Sequence, residues 1–165
     1  MSTSTHRLRL GLEDLLEQPL RTVPVEIGPG ADSLEVRLRY DRRRATVDLG
    51  CEGPAGWRGW SGGARDHFVI GAGTATPGYL SGPLEAGRWH VQLGLHRLPL
   101  EPVDIHVEVL TPATTPVPPE PDPPPAAATP RASARNLPAP PGLHWYAGDF
   151  HAHSTHSDGE QSLSE

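Results

Sequence analysis

The chain has 165 residues, of which 14 are basic and 20 are acidic, and its formal net charge is −6 with histidine neutral. This mild negative charge argues against a nucleic-acid-binding protein, because binding to phosphates requires a positive surface. No stretch approaches the roughly 18 consecutive apolar residues that mark a membrane span, so we expect no membrane partner.

The N-terminal segment and the single cysteine bear on the location of the protein. Arg7, Arg9 and Glu13 interrupt the N-terminal segment, which therefore lacks the apolar stretch of a signal peptide. One cysteine, Cys51, excludes an intramolecular disulfide, and nothing in the sequence indicates an oxidising compartment. We expect a cytoplasmic protein in which Cys51 is a small buried residue at the end of an apolar strand.

Residues 7–17 fit two alternatives. The part "RLRLGL" alternates as a first strand would, whereas "LEDLLEQ" is typical of a short helix. The sequence leaves both open.

The next stretch, "SLEVRLRY", has the pattern of a half-buried strand. Leu34, Val36 and Leu38 alternate with Glu35 and Arg37. Side chains two positions apart lie on the same face of a strand. The apolar set should therefore face a core and the charged set should face solvent.

The same alternation returns in "RWHVQLGL" and "VDIHVEVL", and the shorter apolar runs are "TVPVEI", "ATVDLGC" and "HFVIG". These make about six strands, separated by turns rich in Gly and Pro and without helical periodicity between them. This pattern is typical of antiparallel sheets. We expect a mainly β protein with an antiparallel β-sandwich domain over residues 1–110.

The segment "GWRGWSGGAR" places Trp57 and Trp60 among glycines, which predicts a loop, and "TPGYL" adds the ring of Tyr79. The first interpretation is that these rings cap the end of the sandwich or pack against a neighbouring domain. The alternative is a platform on which a sugar stacks, as in a carbohydrate-binding module.

Residues 111–142 form a proline-rich segment, which contains 12 of the 20 prolines of the chain. This density favours extended polyproline II structure, so we interpret the segment as a linker that holds two folded units apart. Proline-rich segments also serve as ligands for aromatic grooves, which is the weaker interpretation here.

The stretch "GDFHAHSTHSDG" follows the linker and concentrates metal-ligand residue types. On a strand, His151 and His153 would point the same way, about 7 Å apart along the chain. Two imidazoles on one face are a minimal chelating pair for a divalent metal such as Zn, Mn or Fe. Asp158, in the loop that follows, can add a carboxylate ligand.

A bare H-x-H pair is weak evidence, but the pattern around it is longer. It resembles the opening motif of the PHP (polymerase and histidinol phosphatase) family of metal-dependent hydrolases, written D-x-H-x-H-[ST]-x-x-S-D-G. The order of sandwich, linker and motif is similar to the carbaryl-hydrolase-like (CehA/McbA) branch of that family. The matching positions are Asp149, His151, His153, Ser154, Ser157, Asp158 and Gly159.

The resemblance implies the roles of these residues. Residues 143–165 would contain the first strand of a distorted (β/α)7 barrel. His151 and His153 would bind one metal, with Asp158 as a ligand in the same cluster. Asp149 would orient an imidazole through a hydrogen bond.

The implied reaction is metal-assisted hydrolysis of a small-molecule phosphoester or ester, in which water acidified by the metal attacks a phosphoryl or acyl centre. Such clusters usually hold two or three metals and take further ligands from later strands. The motif leaves position 156 free, so we expect His156 to be exposed. The sequence does not indicate an oligomeric state.

The end of the chain carries one more signal. Ser162 and Glu165 have the spacing of a capping box, which predicts a helix that begins at Leu163. We therefore expect a truncated chain, the N-terminal part of a hydrolase that is inactive by itself. Two alternatives stay open: a free-standing sandwich that binds a glycan or a protein, with a vestigial tail, and a tail that handles metal as a flexible segment.

Overall fold

The computed structural model describes residues 2–117, 139–144, 152–154 and 156. Within these residues the chain is almost entirely β-structure, and no helix there is long and apolar enough to cross a membrane. The elements in chain order are β1 (Ser2–Leu10), α1 (Leu12–Glu17), β2 (Leu20–Ile27), β3 (Ser33–Arg39), β4 (Thr46–Gly53), β5 (Gly56–Trp60), a 3-10 helix (Gly62–Ala64), β6 (His67–Gly71), β7 (Gly87–Arg97) and β8 (Val103–Thr111).

The strands form two four-stranded sheets. The first sheet has the order β1-β8-β3-β6 and the second the order β2-β7-β4-β5. Every pairing within them is antiparallel. The predicted mainly β, antiparallel architecture is thus confirmed.

The core lies between the two sheets. Val36 and Leu38 of β3, and Trp89 and Leu93 of β7, are each 2% exposed or less. All four belong to one hydrophobic cluster whose members come from both sheets. Burial of each such side chain contributes about 1.5–3 kcal/mol. The period-two pattern of the sequence is therefore what joins the sheets into a sandwich.

The N-terminal segment contains both of the elements that the sequence left open. Strand β1 ends at Leu10, and helix α1 begins directly after Gly11. The amide of Gly11 donates a hydrogen bond to the Asp14 carboxylate at 2.9 Å, which closes the first turn of the helix.

The prediction that the tryptophans lie in a loop is wrong. Trp57 and Trp60 belong to β5, the edge strand of the second sheet, which pairs with β4. The glycines around them suggested a turn, but Gly59 meets a different requirement. A Cβ atom there would lie 2.3 Å from the Gly78 carbonyl oxygen. Glycine is needed for a close approach of two backbones, not for chain reversal.

The polar face predicted for β3 is also partly wrong, because Glu35 is fully buried. Thr114 and Thr115, from the beginning of the proline-rich segment, lie against its carboxylate. Burial of Cys51 is confirmed at 1% exposure. Burial raises the pKa of its thiol to about 12.

Most of the predicted linker and barrel strand lies outside the described residues. Of the stretch "HWYAGDFHAH", the structure describes His144, Ala152 and His153, and none of these three belongs to a strand. The helix expected at Leu163 also lies outside the described ranges. The first barrel strand stays a prediction.

Candidate functional site

The metal-ligand candidates of the motif are only partly visible. His151, Asp158 and the supporting Asp149 lie outside the described residues. His153 is described, and its side chain is exposed. In the part of the chain that the structure describes, no three His, Cys, Asp or Glu side chains come together as a metal group would require. The ligand set therefore stays a prediction from the sequence.

His156 does not have the exposed position that we expected, because it is partly buried against the sandwich. The amide of Gly78 donates a hydrogen bond to His156 Nδ1 at 3.2 Å. The His156 amide donates in turn to Ser154 Oγ at 3.2 Å, within the motif itself. The motif loop thus contacts the sandwich through a residue that the motif pattern leaves free.

Gly78 lies beside the edge strand β5. The Trp60 amide donates to the Gly78 carbonyl at 3.2 Å, and the Leu80 amide donates to the Arg58 carbonyl at 2.7 Å. Gly59 and Tyr79 form an antiparallel bridge between these two contacts. Residues 78–80 therefore pair with β5 and widen the second sheet by a short extended segment.

Tyr79 is not part of an exposed aromatic platform, which was the alternative interpretation of the sequence; it packs on the sandwich, as the first interpretation expected. Its ring is buried and stacks on Phe68 with centroids 4.1 Å apart. Its hydroxyl donates to the Leu49 carbonyl at 2.9 Å and lies 2.9 Å from Ser61 Oγ. Burial raises the pKa of this hydroxyl well above its ordinary value. Tyr79 fixes the loop that carries Gly78 to the core.

The two tryptophans of β5 do lie together at the surface. The rings of Trp57 and Trp60 stack with centroids 5.9 Å apart and an angle of 21° between their planes. Trp57 is 49% exposed. The Trp60 ring covers Gly50 and Gly94, where added Cβ atoms would lie 2.3 Å and 2.8 Å from ring carbons. Two glycines on neighbouring strands thus leave room for one indole to lie on the sheet.

A row of polar side chains crosses the same sheet. Thr22 Oγ1 donates to Gln92 Oε1 at 2.9 Å, and Gln92 Nε2 donates to Glu52 Oε2 at 3.2 Å. Gly50 is the register partner of both Gln92 and Trp60, so this row and the indole pair are neighbours. The arrangement combines an exposed ring with hydrogen-bonding groups.

Arg58 lies between the two tryptophans in sequence, and its side chain is buried and hydrogen-bonded. Its guanidinium donates to the carbonyls of Leu80, Gly82 and Pro83 at 3.1 to 3.3 Å. It also lies 5.0 Å from the centroid of the Trp89 ring. Arg58 holds the loop after Tyr79 in place and is not a surface group for a ligand.

A second polar cluster surrounds Glu35 on the other sheet. The carboxylate accepts hydrogen bonds from the amides and hydroxyls of Thr114 and Thr115, at 2.7 to 3.0 Å, and from Arg37 Nε at 2.7 Å. Burial raises the pKa of Glu35, but these hydrogen bonds outweigh it and bring the pKa from 4.5 to about 2. The cluster fixes the start of the proline-rich segment to β3.

Sequence reasoning missed both the cluster around Glu35 and the contact between Gly78 and His156. A glutamate in an alternating strand predicts an exposed side chain, and no local pattern links it to two threonines far along the chain. Gly78 stands in "TPGYL", which predicts only a turn. No local sequence pattern predicts either the burial of Glu35 or the contact of Gly78 with His156.

No protein-family model matches this chain, and no curated protein matches it with significant similarity. The predicted roles of the motif residues therefore rest on their chemistry and on the motif pattern alone.

Proposed function

We propose that the chain is the N-terminal part of a metal-dependent hydrolase of the PHP type, acting on a small-molecule phosphoester or a related ester or amide. The observation that supports this best is the motif from Asp149 to Gly159, in which every defined position of the family pattern is present. The sandwich before it would support the metal-binding segment.

The donor types fit a divalent metal such as Zn, Mn or Fe. His151 and His153 offer imidazole nitrogen and Asp158 offers carboxylate oxygen, which these metals accept. Asp149 would orient one of the imidazoles by a hydrogen bond. When bound, such a metal acts as a Lewis acid in hydrolysis.

Metal binding is the first test. We expect the chain to bind Zn²⁺, as followed by calorimetry, and the double variant His151→Ala/His153→Ala to lose this binding. The matched control is His144→Ala, which removes an exposed imidazole outside the motif. Equal zinc affinity in the double variant and the wild-type chain would contradict the proposed ligands.

Hydrolysis is the second test. Three ligand candidates are fewer than a cluster of two or three metals needs, so we expect no turnover of phosphoesters or esters by this chain alone. The proposal requires further His, Glu and Asp ligands encoded after codon 165 of the gene. Genomic sequence after codon 165 that encodes no such ligand set in any reading frame would refute the proposal.

A second candidate function is binding of a glycan to the sandwich, and the exposed Trp57 ring favours it. A sugar could stack on Trp57 and hydrogen-bond to the partly exposed Glu52 of the neighbouring row. Titration with soluble oligosaccharides should then change the tryptophan fluorescence, and Trp57→Ala should abolish the change. Leu20→Ala, which removes an exposed apolar side chain from β2, is the matched control. Fluorescence that does not respond to any oligosaccharide would exclude this function.

The cytoplasmic location expected from the sequence is part of the proposal. It is tested by fractionation of cells that express the chain with an epitope tag.

A further inference from the structure

We propose that the sandwich is a docking platform for the histidine-rich loop of the metal motif, with Gly78 as the seat and His156 as the positioning residue. The docking is a contact within this chain. Only its consequence for metal binding rests on the proposed function.

The first support is the hydrogen bond from the Gly78 amide to His156 Nδ1 at 3.2 Å. Because Nδ1 accepts this bond, the proton of the neutral imidazole lies on Nε2. The His156 amide also donates to Ser154 Oγ at 3.2 Å, and Ser154 directly follows the ligand candidate His153. The contact with the sandwich therefore lies three positions from a ligand candidate.

The second support is the fit of the backbone at the seat. Gly78 has a φ of 92°, a conformation that favours glycine. A Cβ atom on Gly78 would lie 2.7 Å from the His156 carbonyl oxygen and 3.0 Å from the Trp60 carbonyl oxygen. The loop therefore occupies the space that a side chain at position 78 would fill. The absence of a side chain at this position is what admits the motif loop.

The third support is the rigidity of the seat. The Gly78 carbonyl accepts from the Trp60 amide at 3.2 Å, and the next residue, Tyr79, anchors its hydroxyl on the Leu49 carbonyl at 2.9 Å. Gly78 lies in a loop, but these two hydrogen bonds tie that loop to the edge strand β5 and to the core, and such support fixes the position of a residue that docks on it. Docking fixes His156 when the chain folds, so metal binding does not have to meet the entropy cost of fixing this residue.

Hydrogen exchange in the metal-free full chain tests the docking. We expect His156→Ala to speed the exchange of the Gly78 amide about three- to tenfold, the effect of losing one neutral hydrogen bond. His156→Asn should restore slow exchange, because its side-chain oxygen can accept a hydrogen bond near the position of Nδ1. His144→Ala should leave the exchange unchanged. A Gly78 amide that does not respond to His156→Ala would overturn the docking.

Zinc affinity tests the positioning role. We expect His156→Ala to weaken Zn²⁺ binding severalfold and His156→Asn to stay close to wild type. Equal weakening by both variants would mean that His156 is itself a ligand, and no weakening by either would mean that docking does not position the loop; each outcome overturns the positioning role.

The two proposals fail in different ways. Zinc binding without a response at Gly78 overturns the docking and leaves the proposed function standing. A response at Gly78 in a chain that binds no zinc supports the docking and refutes the metal site.

Discussion

The Thr115 hydroxyl donates a hydrogen bond to Glu35 Oε1 across 2.7 Å, although 80 positions separate the two residues in sequence. Glu35 is fully buried, so its charge is stable only because hydrogen bonds surround it. The contact connects the start of the proline-rich segment to a central strand of the first sheet. Folding of the sandwich therefore sets where that segment leaves the domain.

We predict that Glu35→Gln lowers the free energy of unfolding by about 2 kcal/mol at pH 7, because the variant loses charged hydrogen bonds in a buried site. Urea unfolding followed by tryptophan fluorescence measures this effect. The control is Glu26→Gln, which removes an exposed carboxylate that pairs with Arg88 at 2.8 Å and should change little. Equal stability of wild type and Glu35→Gln would refute the role of the cluster.

Glu35 should also make the stability depend on pH. Its pKa is about 2 in the folded chain and 4.5 ordinarily. A lowered folded pKa stabilises the fold above the ordinary pKa, and the stability is lost as pH falls from about 4.5 toward 2. We predict that Glu35→Gln flattens this part of the stability curve relative to wild type. Parallel curves for the two chains between these pH values would contradict the assignment.

We predict that Gly59→Ala destabilises the sandwich by about 2–3 kcal/mol. The residue has a φ of 141°, and the new Cβ would lie 2.3 Å from the Gly78 carbonyl oxygen. Gly73→Ala is the matched control, because no neighbouring atom lies within 4 Å of a Cβ there. The urea concentration at the midpoint of unfolding measures the stability of both variants. A Gly59→Ala chain as stable as the Gly73→Ala chain would show that β5 does not need this close approach.

Arg58→Met should cost about 2–3 kcal/mol, because it leaves the carbonyls of Leu80, Gly82 and Pro83 without their buried donor. Arg88→Met is the control, because Arg88 is exposed and pairs with the exposed Glu26. Thermal unfolding of the two variants gives the comparison. Similar midpoints would mean that the loop after Tyr79 is held by other contacts.

The thiol of Cys51 should be inert in the folded chain. It is buried, and its pKa is raised to about 12, so almost no thiolate exists at pH 8. We predict that a disulfide reagent such as DTNB labels the chain only after denaturant is added. Rapid labelling of the native chain would show that β4 opens readily.

Much of the sandwich could be predicted from the sequence, because the apolar residues of β3, β7 and β8 alternate cleanly and the core uses that alternation. Strand β5 could not, since glycines that admit a close backbone approach look the same in sequence as glycines of a turn. Glu35 could not, because residues from the proline-rich segment bury it. Of the candidate site, the metal ligands stay a prediction from the sequence, whereas the contact of His156 with Gly78 depends on tertiary structure alone.

The pairing of residues 78–80 with the edge strand β5 has a consequence for association between molecules. An edge strand with free backbone groups can pair with an edge of another chain and start aggregation. Here residues 78–80 pair with β5, and Ala75 bridges to Ile70 on the edge strand β6. The edge strand β2 contains Pro24, which has no amide to donate. Three of the four sheet edges thus carry a feature that hinders intermolecular pairing, and among the described residues β1 has no such feature.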